Sequence, residues 1–295
     1  MPSAPIAMNW TPIAGDVVSP EGPAARADGA LALVSRWTGR VLLVSPGGPV
    51  EEIVQTGGKP QSVAWTGAGR LLLADARNRA LQEIDTASRT IRSVSDTVGG
   101  EPFLGPNDLA IGADGIVYLT DPGLSLDAPG RILRIDPATG HASVLASGLS
   151  FPNGITISDD GRWLVVAESF AHRILRFELR DGGRSLGPPE TLHRFGDHLP
   201  DGIAYDSAGN LLVALFGGGT IEVVAPDGQL AASIDTGGRH PTNCVFGGPD
   251  FRTLFVTEDD RMAVLSASWP VPGQRRFSRS CVGARATRPA DRGGA

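Results

Sequence analysis

Six times along the chain a proline is followed by a short apolar stretch, a Gly/Asp turn and a second apolar stretch, at Pro20, Pro60, Pro106, Pro152, Pro200 and Pro241. The spacings are 40, 46, 46, 48 and 41 residues. A period of that size constrains the fold more than composition does, because each unit is one supersecondary piece that buries its apolar faces only against its neighbours.

Each unit reads as strands. In the third, Leu109 to Ile111 leads into the turn Ala113-Asp114-Gly115, then the run Ile116 to Thr120, then Arg131 to Ile135, with a further short strand around Ser143 to Ala146. The fourth repeats this with Ile155 to Ile157, Asp159-Asp160-Gly161, Trp163 to Ala167 and Arg173 to Phe177, and the fifth with Ile203 to Tyr205, Leu211 to Phe216 and Thr220 to Val224. Short Val/Ile/Leu-rich runs cut by Asp-Gly and Gly-rich turns are strand signals, and no segment sustains a helical period. Four strands per unit is the pattern of a propeller blade, so the expected fold is all-β, a six-bladed β-propeller. An open ring would leave strand edges exposed. The strand-like piece Trp10 to Ile13, lying before the first repeat, is expected to complete the last blade, whose inner strands run from Cys244 to about Ala267.

Length and composition fit one large domain over residues 1–274: 41% of the 295 residues are hydrophobic, and 39 Gly with 23 Pro suit a turn-dense β protein. A basic tail, 275–295, lacks any strand pattern and is expected to be disordered. The net charge of −6 offers no basic surface to nucleic acid, and no apolar run is long enough to span a membrane. The N-terminus lacks the charged start and apolar core of a secretion signal, so the expectation is a cytoplasmic monomer acting on a small molecule. Of the two cysteines, Cys244 falls in an inner strand as a buried thiol and Cys281 in the tail, too far apart in character for a bridge. Of 26 basic residues only Lys59 is a lysine.

In a propeller the start of each innermost strand converges on the axis. Here the residues after the prolines are Glu21, Gln61, Asn107, Asn153, Asp201 and Thr242, every one with a side-chain oxygen and none basic. Carboxylates and amide carbonyls gathered on one axis repel each other unless a cation sits among them. Hard oxygen donors without His or Cys suit Ca²⁺, with Mg²⁺, Mn²⁺ or Zn²⁺ as alternatives. Gln61 and Thr242 read more simply as turn residues that satisfy loop backbone.

Four motifs stand in order and phase: Ser19-Pro20-Glu21-Gly22-Pro23; Gly105-Pro106-Asn107-Asp108-Leu109 with Tyr118-Leu119-Thr120-Asp121-Pro122; Phe151-Pro152-Asn153-Gly154-Ile155; and Pro200-Asp201-Gly202-Ile203-Ala204. From about residue 18 to 260 the chain resembles the SMP-30/gluconolactonase/luciferin-regenerating-enzyme family. The resemblance implies a six-bladed propeller with a divalent metal at the channel mouth and hydrolysis of lactones. It implies Glu21, Asn153 and Asp201 as metal ligands, with Asn107 contacting the metal directly or through water and orienting substrate. Sugar-lactone members often carry Arg two residues before that Asn, where this chain has Gly105. With an aromatic rim, including Trp37, Phe151, Phe170 and Phe216, the departure favours a less polar substrate. Phe103, His198 and His240 are the loop candidates for substrate contact.

A cation at the mouth would polarise a lactone carbonyl. Asn107 would donate to the same oxygen, and Asp201 is the candidate general base or, alternatively, the nucleophile. No Gly-x-Ser-x-Gly elbow offers another route, and the five His residues show no metal-ligand spacing. Two alternatives stay open: a strictosidine synthase-like enzyme of different reaction type, and a noncatalytic binding propeller with structural Ca²⁺.

Overall fold

Leu31 and Leu33 leave their strand on one side, Ala32 and Val34 on the other, and all four are fully buried. A strand buried on both faces belongs to a sheet packed between two others. In the computed structural model, which describes residues 5–67, 69–123, 128–275 and 277, this holds around a closed ring. Leu31 and Leu33 pack towards the sixth sheet with Val245, Phe255 and Val264, while Ala32 and Val34 pack towards the second with Val63, Trp65 and Leu71. Six such apolar clusters fill the six interfaces between neighbouring sheets. Each wholly buried Leu contributes about 1.5–3 kcal/mol.

The sheets are antiparallel blades. Blade 1 is Pro20–Ala25, Leu31–Ser35, Arg40–Val44 and Val50–Gln55; blade 2 is Pro60–Gly67, Arg70–Asp75, Ala80–Asp85 and Thr90–Ser95. Blade 3 is Leu109–Ile111, Val117–Asp121, Gly130–Ile135 and Ala142–Leu149; blade 4 is Pro152–Ile157, Trp163–Glu168, Arg173–Arg180 and Glu190–Arg194. Blade 5 is Leu199–Tyr205, Leu211–Phe216, Thr220–Val224 and Leu230–Asp235. Blade 6 takes Pro241–Gly247, Thr253–Glu258 and Ala263–Ser268 from the end of the chain and Thr11–Ala14 from its start. The N-terminal strand therefore closes the ring, as the sequence leads one to expect. A second clasp follows from Ile6–Ala7, which runs parallel to the outer strand of blade 5. The only helical element among the described residues is one 3-10 turn, Ser169–Ala171, and none is long and apolar enough to cross a membrane.

The prolines sit where the innermost strand meets the end of the second: Pro20 opposite Ser35, Pro60 opposite Asp75, Pro152 opposite Glu168, Pro241 opposite Glu258. The loops after those second strands thus share one face with the loops before the prolines. A register slip follows the proline in blades 1, 2, 4, 5 and 6, a bulge that turns the next side chains towards the axis. At the opposite end of the axis Gln274 donates to the Ile157 carbonyl (3.0 Å), and Phe277 is buried among blades 3 and 4. The void left there, lined by Ile155, Ile203, Cys244 and Phe246 among others, is only about 20 Å³. Arg275 and Phe277, placed by sequence in the tail, belong to this packed body; Cys281 lies outside the described residues. Cys244 is a buried core thiol.

Candidate metal centre and active site

Two glycines and one asparagine bring the inner strands together. A Cβ on Gly154 would lie 2.3 Å from the Asp201 carbonyl oxygen, and one on Gly202 would lie 2.0 Å from the Asn243 side chain. Only glycine permits that approach. Asn243 then reaches blade 1, its Nδ2 donating to Glu21 Oε1 at 2.9 Å. The Gly22 N–H donates to the same oxygen (3.0 Å), whereas Glu21 Oε2 is buried and has no hydrogen-bond partner among the described residues. On the other side, Asn153 hydrogen-bonds Asp201 and also donates to Ser169 Oγ (3.3 Å), which donates to the Pro200 carbonyl (2.7 Å). Blade 3 adds Asp108, almost fully buried, whose carboxylate accepts the Leu109 N–H (2.9 Å) and the Ile155 N–H (3.3 Å).

Burial pushes the Asp201 carboxyl well above the ordinary carboxylate range, and the charges of Glu21 and Asp108 push it further, against the opposing pull of Arg36 and the Asn153 hydrogen bond. Burial likewise raises Glu21, opposed chiefly by Arg36 and by its two hydrogen bonds. These acids are held together in a dry place with too little positive charge to satisfy them. Arg36 is the nearby counter-charge; it donates to Ser19 Oγ (2.9 Å) and pairs with Asp259 (3.3 Å).

Of the residues expected from sequence, Glu21, Asn153 and Asp201 meet at the axis. Asn107 stands beside them, half-buried; its backbone is fixed by the Thr120 carbonyl (2.9 Å) and the Ser62 hydroxyl (3.0 Å), and its side-chain amide makes no hydrogen bond among the described residues. Thr242 bonds the Pro20 carbonyl (2.8 Å) and Thr257 (2.8 Å), and Gln61 bonds the Lys59 carbonyl (3.2 Å), the structural roles expected of them. Phe103 must be corrected. The hairpin of Thr97–Val98 and Glu101–Pro102 turns its ring into the core with Leu109 and Leu119, where it is 0% exposed and offers no surface to a ligand. His198 is exposed, and its carbonyl receives His172 Nδ1 (2.9 Å). His240 stacks on Phe216 with ring centroids 4.4 Å apart and lines a rim depression of about 370 Å³ with Ser19, Trp37, Asp259 and Asp260. A larger groove, about 420 Å³ beside Trp163 and Tyr205, opens away from the carboxylates. Asp108, Asn243 and Arg36 were not singled out by sequence. The signal for the first two is that the second residue after the proline is glycine in blades 1, 4 and 5 but Ser62, Asp108 and Asn243 elsewhere.

The donor set fits a hard cation. Glu21 Oε2 is an orphaned buried oxygen, Asp201 is strained by neighbouring negative charge, and Asn153 and Asn107 add amide oxygens. No group of three or more His, Cys, Asp and Glu stands in ligating proximity among the described residues, so such an ion would rely on amides as well as carboxylates.

A sequence profile of the SMP-30/Gluconolactonase/LRE-like region matches residues 19–259. The gluconolactonase of Zymomonas mobilis is 31% identical, with 83% of this chain and 77% of that protein covered. The 6-deoxy-6-sulfogluconolactonase of Pseudomonas putida is 36% identical over 49% of this chain, which spans 50% of that relative's length. Regucalcin from Agrobacterium tumefaciens, a calcium-binding protein, has the same fold: TM-score 0.82 at 18% identity, covering 96% of this chain and 100% of that one. The chain belongs to the SMP-30/gluconolactonase/LRE-like family.

Proposed function

We propose that this protein is a metal-dependent hydrolase that opens a lactone or related ester at the proline face of the channel. The observation that carries the reading is the pairing of an unpartnered, buried Glu21 Oε2 with an Asp201 carboxyl driven upward by burial and by Glu21 itself. The lactonase names of two relatives support the reaction type. Glu21, Asn153 and Asp201, with Asn107, would hold the ion, and Ca²⁺ suits these donors. Bound there, the ion would supply Lewis-acid polarisation of the lactone carbonyl and compensate the local negative charge.

The chain's own groups supply the rest. Asp201 takes the proton of the attacking water; the Asn153 amide fixes its orientation. The Asn107 amide donates to the substrate oxygen on which charge develops, its backbone held still by Thr120 and Ser62. Gln274 and Phe277 close the far end of the axis, so substrate enters from the proline face.

The test is hydrolysis of sugar-derived and alkyl lactones by metal-stripped protein with Ca²⁺, Mg²⁺, Mn²⁺ or Zn²⁺ restored singly. Metal-restored turnover that Asp201→Asn removes is expected. Absence of turnover with every cation, alongside a Ca²⁺-dependent rise in Tm, would replace this reading with that of a structural ion in a binding propeller.

A further inference from the structure

The chain's sole lysine stands on the proline face. Its backbone is pinned on both sides, the N–H to Asp75 Oδ1 (2.8 Å) and the carbonyl to the Ala76 N–H (3.0 Å). Its ammonium lies 4.0 Å from the centroid of the Trp37 ring, and that ring is 67% exposed. No carboxylate pairs with Lys59 among the described residues. Partial burial, and after it the charges of Arg36 and Arg77, disfavour its protonated form. Arg77 is exposed and also without an ion pair among the described residues.

The charges of Arg36 and Arg77 both act on Lys59, and Asp259 on Arg36 is the one ion pair any of the three makes among the described residues, an unfavourable balance for the protein alone. It is sharper in a chain of net charge −6, in which arginines such as Arg70 and Arg162 pair across strands with Glu83 and Glu178. Arg36 ties the cluster to the catalytic acids, because its charge acts on Glu21 and Asp201 as well as on Lys59. The pinned backbone and the indole beneath the ammonium hold the charge in place before any ligand arrives.

We propose that Lys59, Arg77, Arg36 and Trp37 form a subsite beside the channel mouth for an anionic group, a carboxylate, sulfonate or phosphate, carried by the substrate away from its lactone ring. The proposal rests on the lactone-hydrolase reading for the identity of the substrate. It also changes what the rim selects: Trp37, which by sequence alone favours a less polar substrate, becomes the floor under a cation. The basic contact missing at Gly105 is made from blades 1 and 2 instead.

The experiment compares gluconolactone with its terminal phosphate ester and with a glucaric acid lactone, which carries a carboxylate, on the cation-loaded full chain. Lys59→Met keeps the stem and removes the charge; Arg77→Gln is a second variant, and Arg162→Gln, on the opposite face, is the control for net charge. The preference for the anionic lactones over the neutral one, read in KM, is expected to fall on the order of tenfold in Lys59→Met, the size of one charge-assisted contact. It should fall with added salt in the wild type and stay intact in Arg162→Gln. Calorimetry with gluconate and its phosphate ester gives the same comparison without turnover. Equal preference in wild type and both rim variants, with lactones still hydrolysed, overturns the subsite and leaves the hydrolase. Charge-selective binding that Lys59→Met abolishes, with no lactone hydrolysed, upholds the subsite and overturns the hydrolase.

Discussion

Asp201 carries opposite consequences for stability and activity. Its carboxyl binds a proton more tightly folded than unfolded, because burial and Glu21 raise it. The metal-free fold therefore gains from this group below the ordinary carboxylate range and loses that gain as pH rises through the raised folded value. Above the ordinary carboxylate range the group therefore opposes folding. Asp201→Asn should then raise the Tm of stripped protein at pH 7 by roughly 2–4 °C per kcal/mol of repulsion relieved, with the gain shrinking towards acid. The same change should lower lactone turnover by about 10²–10⁴-fold, the worth of a positioned base. A thermal scan across pH paired with a rate assay checks both. Gly154 gives a purely steric counterpart. Its added Cβ would meet the backbone of Asp201 at 2.3 Å, so Gly154→Ala should cost about 1–3 kcal/mol and turnover with it, measured by denaturant unfolding of protein that retains the ion.

Between residue and ring, the recurring device is a buried acid at the end of the second strand. Asp75, Asp121, Glu168 and Glu258 accept backbone N–H groups from the loop that precedes the proline: Lys59, Leu104 with Gly105, Ser150 and His240. Asp121 also takes Arg131 at 2.8 Å, and breaking such a buried pair costs about 3–5 kcal/mol. Asp121→Ala should lower stability by that amount and speed amide exchange at Leu104 and Gly105 before the other blades respond. The strand repeats were legible because proline and Asp-Gly turns punctuate apolar runs. The meeting of Glu21, Asn153 and Asp201 at the axis was legible too, each following a proline and preceding a glycine. Asn243 was not, since in blade 6 the first residue, Thr242, turns to the Pro20 carbonyl and the second does the polar work. Phe103 misled for a related reason: a loop position in sequence says nothing of a two-residue hairpin that folds the ring inward. Arg36 and Lys59 come together only through the ring, from loops of different blades.

At the scale of the molecule, each blade is an incomplete body that finds its cover on both sides, and the closing contact pairs Thr11 with Ser266. Removal of residues 1–14 should leave the blade 6 edge unpaired and expose Val264 and Phe255, giving a broad, low-temperature unfolding transition and association in solution. Calorimetry and light scattering report each. That strand is synthesised before the first blade and its place is made after the fifth, so during synthesis it waits while five blades assemble. Until the strands of blade 6 leave the ribosome, a growing chain presents a loose strand at one end and a bare sheet edge at the other. Two neighbouring chains can exchange these parts. Refolding at high concentration should therefore give dimers whose N-terminal strands are traded between partners, separable by size and slow to revert.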